Sequence, residues 1–183
     1  MGELDGKVAI VTGAGRLRGI GRAAAVELAR LGADVVITGT GRNPDTFPPD
    51  EKSAGWRDIE SVADQIREYG VRAFPMVVDV TSPADVQNMV DSTIRELGRV
   101  DILINNAAFQ RGVDRVPILD LDQDIFQKVL DIKVTGTFLC TKAVLKHLVD
   151  QGDGGKIVNI SSIAGKRGSA NTLAYNAANF AIV

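Results

Sequence analysis

Histidine and cysteine are nearly absent from the chain, with one of each, His147 and Cys140, among 183 residues. A lone thiol excludes an internal disulfide framework and suits a reducing compartment. Neither residue has a neighbour at metal-ligand spacing, so no metal site is expected and both read as structural. Excess positive charge is also missing: 21 Lys and Arg face 23 Asp and Glu, a formal charge of −2. That balance offers no basic stripe for nucleic acid. No apolar run approaches the length of a membrane span. The opening stretch, Met1 to Gly6, is acidic and poor in apolar residues, unlike a secretory leader, and Gly6 stands where a myristoylation signal wants Ser or Thr. The 45% hydrophobic content nevertheless suffices for a packed core and excludes disorder. A cytoplasmic, single-domain protein spanning residues 1–183, with no nucleic-acid or membrane partner, is the expectation.

What the chain does contain is organised around Lys7 to Leu31. Val8 to Val11 suit a strand buried on both faces, because β-branched residues pack well on a pleated surface. From Ile20 the apolar positions Ile20, Ala24, Leu28 and Leu31 recur at helical spacing. Between them lie Gly13, Gly15, Gly19 and Gly21, which allow a tight turn and leave no side chain beside a bound pyrophosphate. The helix that follows aims free N–H groups and the positive end of its dipole at that phosphate. Strand, glycine turn and helix in this order point to a dinucleotide.

The same alternation continues. Strands are expected at Asp34 to Thr38, Arg72 to Val78, Val100 to Asn105 and Lys156 to Ile160. Asp58 can cap a helix carrying Ile59, Val62, Ala63 and Ile66 on one face, and Ser82-Pro83-Ala84-Asp85 has the makings of a capped helix start. A long helix is expected over Asp122 to Val149, and another from about Leu173. Gly39 to Arg57 reads as a long polar loop, either a functional flap or, slightly favoured, a tolerated surface insertion. The alternation predicts an α/β fold: a Rossmann-like, doubly wound parallel sheet with helices on both faces. Ligands of such sheets sit outside the carboxyl ends of the strands, here Thr12–Gly13, Thr38–Gly39, Asp79–Val80, Asn105–Ala108 and Ser161–Ser162.

Thr12-Gly13…Gly19-Ile20-Gly21, Asp79-Val80, Asn105-Asn106-Ala107-Ala108, Asn159-Ile160-Ser161-Ser162 and Tyr175, in that order, resemble the short-chain dehydrogenase/reductase family. The resemblance implies a nicotinamide dinucleotide and hydride transfer between it and a carbonyl compound or alcohol. It also implies cofactor contacts at Gly13, Gly15, Gly19, Ile20, Gly21, Asp79, Val80, Asn106 and Ala107. The family's serine precedes its tyrosine by about thirteen residues, which selects Ser162 over Ser161. Tyr175 is then the general acid toward the carbonyl oxygen and Ser162 a hydrogen-bond donor to it.

The chain departs from that pattern. Its glycine loop is longer between Gly13 and Gly19, and Ala108 replaces a usual glycine. Asn179 stands where the family places a lysine one helical turn after the tyrosine, and Lys133 stands where the long helix usually carries asparagine. Two of the four expected catalytic side chains have exchanged places. Lys133 is conspicuous without the family, because it shares a row with Val129, Gly136 and Cys140 that is otherwise apolar or small. Such a lysine must snorkel to water or serve a purpose. The functional reading puts its ammonium near Tyr175, where positive charge favours phenolate, with Asn179 on the cofactor ribose.

Charge argues for the cofactor. The second strand ends at Gly39, followed by Thr40-Gly41-Arg42, with no acid for the ribose hydroxyls. Arg16 and Arg18 lie in the glycine loop, and a guanidinium there suits a phosphate, so Thr40, Arg42 and Arg18 are expected to hold NADP(H) in preference to NAD(H). A small carbonyl or alcohol is the expected substrate, and the apolar long helix suits a homodimer or homotetramer. The family continues beyond a point corresponding to Val183, so the chain is expected to be a C-terminally truncated piece of a longer product. Two rival readings are a catalytically silent dinucleotide binder and a subunit whose role is assembly.

Overall fold

The computed structural model describes residues 2–110 and 112–183. Five strands, β1 (Val8–Val11), β2 (Asp34–Gly39), β3 (Ala73–Val77), β4 (Ile102–Asn105) and β5 (Lys156–Asn159), form one sheet in the order β3-β2-β1-β4-β5. Every pairing is parallel, with Val8 opposite Asp34 and Ile102 opposite Lys156. The helices are α1 (Ile20–Arg30), α2 (Pro49–Ser53), α3 (Ile59–Arg67), α4 (Pro83–Leu97), α5 (Gln123–Leu130), α6 (Gly136–Gln151) and α7 (Leu173–Ile182).

Strand side chains alternate between two cores, as a pleated sheet requires. Val11, Val35 and Ile37 meet Ala25, Ala29, Val62 and Ile66 of α1 and α3 on one face. Ile10, Val36 and Leu103 meet Val86, Met89, Val90, Cys140 and Val144 of α4 and α6 on the other. A small third cluster joins Val129 to Ala174 and Ala178, tying α5 to α7. The expected sheet with helices on both faces is thus the observed one, and β5 forms an edge with Val158 44% exposed.

Local signals account for much of this. Ser82 caps α4 by accepting the Asp85 N–H at 3.2 Å, Pro83 opens the helix, and Gly98 closes it at φ 84°. Three expectations need correction. The buried stripe of α1 is Gly21, Ala25 and Ala29, while Ile20 is 64% exposed, because small residues let the helix lie close on β1. The long helix bends from α-helical to π-helical winding over Asp131–Thr135 before resuming as α6. Residues 39–57 do not form a polar surface loop: they hold a turn at Pro44–Thr46 and α2, and they bury Phe47, Glu51 and Trp56.

Gly13 is a point where the backbone conformation and a neighbouring strand end both require glycine. Its φ is +66°, and a Cβ there would stand 2.8 Å from Ala107 Cα. Gly98 has a similar φ but open space around it. Gly13→Ala is therefore expected to cost about 2–5 kcal/mol, backbone strain plus overpacking, and Gly98→Ala only about 1–2 kcal/mol. Denaturant midpoints of the two variants check the difference.

Candidate active site

The carboxyl edge of the sheet gathers the predicted residues, beginning where β1 turns into α1. Thr12 Oγ1 accepts the Asn106 and Ala107 N–H groups at 3.0 and 3.1 Å, and Asn106 Nδ2 donates to the Thr12 and Gly13 carbonyls at 2.9 Å each. Asn106 and Ala107 thereby pin the glycine turn to the tip of β4. A Cβ at Gly21 would meet Asn106 Nδ2 at 2.4 Å, so that position needs glycine as well. Gly19 caps α1 with no side-chain hydrogen bond, and the first turn of α1 carries no acid. This arrangement fits a dinucleotide pyrophosphate, because the N-terminal N–H groups have no side-chain competitor.

The segment after β2 locks onto the same turn. Trp56 Nε1 donates to the Gly15 carbonyl at 2.6 Å, and the Leu17 N–H donates to Glu51 Oε1 at 3.0 Å. Arg42, expected to face a phosphate, instead donates to Glu51 Oε2 at 2.7 Å, to Asp58 Oδ1 at 3.0 Å and to the Gly15 carbonyl at 3.1 Å. Burial works against its charge, but the hydrogen bonds it donates to Glu51 and Asp58 outweigh it and raise the pKa above the ordinary arginine value. Asp58 precedes α3 without capping it through its side chain, and its carboxylate faces Arg42. Arg18 projects outward, its side chain 81% exposed and 2.9 Å from Asp50. Thr40 is exposed at the tip of β2. Asp79 is exposed and binds Thr81 within its own turn, while Val80 is core, against Gly136.

At the other end of the edge, Lys133, Tyr175 and Asn179 line one narrow cavity together with Ala108, Phe109, Asp114, Val129 and Ala178. Lys133 comes from the π-helical turn, a distortion frequent at functional sites. It does not snorkel: it is 5% exposed, and its Nζ donates to the Ile160 carbonyl at 2.5 Å, just past the end of β5. Burial pushes its pKa below the ordinary lysine value. Asn179 is 1% exposed. Its Nδ2 donates to the Tyr175 carbonyl at 2.9 Å, and Ser161 Oγ approaches its Oδ1 at 3.4 Å. Those contacts engage both ends of the Asn179 amide with the protein, while the residue still lines the cavity. Ser162 lies outside the cavity lining and caps the turn at Ile163–Gly165, accepting the Ala164 N–H at 3.2 Å.

Two residues here had no signal in the sequence. The Arg115 guanidinium lies over the Tyr175 ring, 3.8 Å from its centroid. Its Nε is 3.2 Å from Asp114 Oδ2, yet off the angle for a hydrogen bond. Both stand in an irregular segment with no periodicity to flag them. Asp58, Glu51 and Trp56 were equally hidden, because their roles depend on contacts with residues 16 or more positions away. His147 and Cys140 join no metal cluster among the described residues, and the buried Cys140 thiol is pushed up to about 12.

A doubly wound parallel sheet with a glycine-rich first turn and an uncapped helix start defines a Rossmann-type nucleotide-binding protein. More narrowly, residues 7–183 match the short chain dehydrogenase family, and the chain belongs to it. It is 38% identical over 180 residues to a short chain dehydrogenase/reductase of Aspergillus oryzae, covering 98% of this chain and 62% of that one. It superposes on NAD+-bound xylitol dehydrogenase with a TM-score of 0.83 at 38% identity, covering 98% of this chain and 62% of the other. For carveol dehydrogenase of Mycobacterium avium in complex with NAD, the TM-score is 0.85 at 32% identity, with 100% and 64% covered. The chain thus spans about three-fifths of the length of these relatives.

The buried ammonium has a thermodynamic signature. With its pKa lowered in the fold, Lys133 gives up its proton at a lower pH than in the unfolded chain, so stability from this group rises with pH between the lowered value and the ordinary 10.5 while the ammonium persists below it. Cys140, raised by burial, acts in the opposite sense between 9.0 and about 12. The difference between parent and Lys133→Met isolates the lysine: the parent should gain on the variant as pH rises toward 10.5. Urea midpoints across an alkaline series check this, and parallel curves would contradict it.

Proposed function

We propose that the chain carries the cofactor site and reactive side chains of an oxidoreductase that interconverts a carbonyl compound and a secondary alcohol. The observation that carries this is the meeting of Lys133 and Tyr175 in one cavity at the carboxyl edge of the sheet. The Lys/Asn exchange therefore leaves an ammonium beside the tyrosine, arriving from the long helix instead of from α7. A nicotinamide dinucleotide supplies or accepts the hydride. Tyr175 passes a proton between its phenol and the substrate oxygen, and Ser162 donates a hydrogen bond to that oxygen. Lys133 holds positive charge beside the phenol, with Ile160 taking one of its three donors. Asn179 acts by fixing the turn of α7 that carries Tyr175.

Gly13, Gly15, Gly19, Ile20 and Gly21 form the pyrophosphate cradle, with Asn106 and Ala107 as its brace. The case for NADP(H) rests on the loop arginines Arg16 and Arg18 once Arg42 is engaged. The substrate is a small molecule. No helix among the described residues is long and apolar enough to cross a membrane. The exposed Phe138, Leu145 and Val149 of α6 suit pairing with a second copy.

Lys133→Ala is expected to lower turnover by on the order of 10²-fold or more, the scale of a lost acid–base partner. The double reversal Lys133→Asn with Asn179→Lys should retain more activity than the product of the two single changes, because residues acting as a unit are non-additive. Steady-state rates over a panel of ketones and secondary alcohols check both. A nearly harmless Lys133→Asn would contradict the assigned role. Dinucleotide binding without turnover of any panel member would favour the silent binder.

A further inference from the structure

The region between the tips of β1 and β2 holds an acid that no strand end supplies. Gly39 closes β2 without a side chain, and the space beside it is shared by Ile59, 2.9 Å from where a Cβ would stand, and Asp58, which arrives from the residue before α3. A Cβ on Gly15 would stand 1.6 Å from Asp58 Oδ1, and one on Gly39 would stand 3.7 Å from Asp58 Oδ2. The carboxylate therefore lies over the glycine turn and against the end of the second strand. In doubly wound sheets this is the place where an acid meets the adenosine ribose. Asp58 is held there at φ +56°, a conformation uncommon for a residue with a side chain.

The charge around it is set. Arg42 donates to Asp58 through Nε and Nη2, to Glu51 through Nη1 and to the Gly15 carbonyl through Nη2, engaging four of its five donors. Arg42 is also 4.5 Å above the Phe47 ring. One cation between two carboxylates leaves the cluster with a net charge of −1. Asp58 Oδ2 has a single long contact, from the Arg42 N–H at 3.3 Å, so it retains capacity to accept.

We infer that Asp58 is the residue that selects the dinucleotide: its carboxylate accepts from the adenosine ribose hydroxyls and rejects a 2′-phosphate, so the chain prefers NAD(H) to NADP(H). This rests on the dinucleotide reading above and reverses the preference expected from the loop arginines. A 2′-phosphate brings about −1.5 to −2 charges against a cluster already negative, whose own guanidinium, Arg42, is engaged by both carboxylates. Glu51 and Trp56 act as positioning residues, one holding Arg42 and the Leu17 N–H, the other the Gly15 carbonyl. The long segment after β2 and the enlarged glycine loop then form a single device that brings the acid to the ribose from a later element.

Fluorescence titration with NADH and NADPH tests this in the parent, Asp58→Asn and Asp58→Gly. Asparagine keeps the shape and tolerates positive φ, and glycine relieves the backbone, so at least one variant is expected to fold. The parent should bind NADH at least tenfold tighter than NADPH, and both variants should cut that ratio by tenfold or more, with NADPH gaining as Arg42 is released. Glu51→Gln, which removes one of the two negative charges beside Arg42, should shift the NADPH/NADH affinity ratio toward NADPH. A parent that prefers NADPH, or variants that weaken both dinucleotides equally, would overturn the assignment while leaving the dinucleotide site in place. Binding of neither by the parent would overturn the dinucleotide reading itself, and this inference with it.

Discussion

The close approach of the β1–α1 turn to the tip of β4 is the constraint on which the rest of the site depends. At Gly13 the backbone runs at positive φ with Ala107 where a side chain would be, and Thr12 and Asn106 fasten the two strand ends with four hydrogen bonds. This contact fixes where α1 begins and hence where its N–H groups point. It also sets the floor against which a flat, charged ligand can lie. Neither strand could supply it alone, since each contributes only one side of the contact.

A second network extends that frame outward. The buried Glu51 and Asp58 would be costly as isolated charges, and Arg42 between them makes their burial tolerable. In return the trio fixes residues 39–58 against Gly15 and Leu17. A buried ion group of this kind adds little net stability compared with an apolar core, and its value lies in specifying one arrangement of a long connection.

The reactive end shows how one chemical requirement can be met from a different backbone position. Lys133 of the long helix and Asn179 of α7 line the same cavity, because α5, the π-helical turn and α7 pack together around Val129, Ala174 and Ala178. The π turn lets Lys133 leave the regular helical row and extend to Ile160 beside β5. Its burial is unfavourable for the ammonium, and one hydrogen bond to Ile160 offsets part of that cost.

Residues 8–11, the glycines of the first turn, the Ser82–Asp85 cap and the apolar row Ile59, Val62, Ala63 and Ile66 were legible in the sequence. Each is a local pattern whose physical cause lies within a few residues: β-branching, freedom at positive φ, a capping hydroxyl, helical periodicity. The oddity of Lys133 was legible for the same reason, as a charge in an apolar row. Only the tertiary structure decided that Arg42 faces two acids, that Asp58 serves as a carboxylate over Gly15 instead of a helix cap, and that Arg115 covers Tyr175. Those facts depend on pairs 9 to 60 residues apart whose meeting is set by sheet order and helix packing. Local pattern carries conformation, while the partner of a buried charge is chosen by whatever the fold brings within about 3 Å of it.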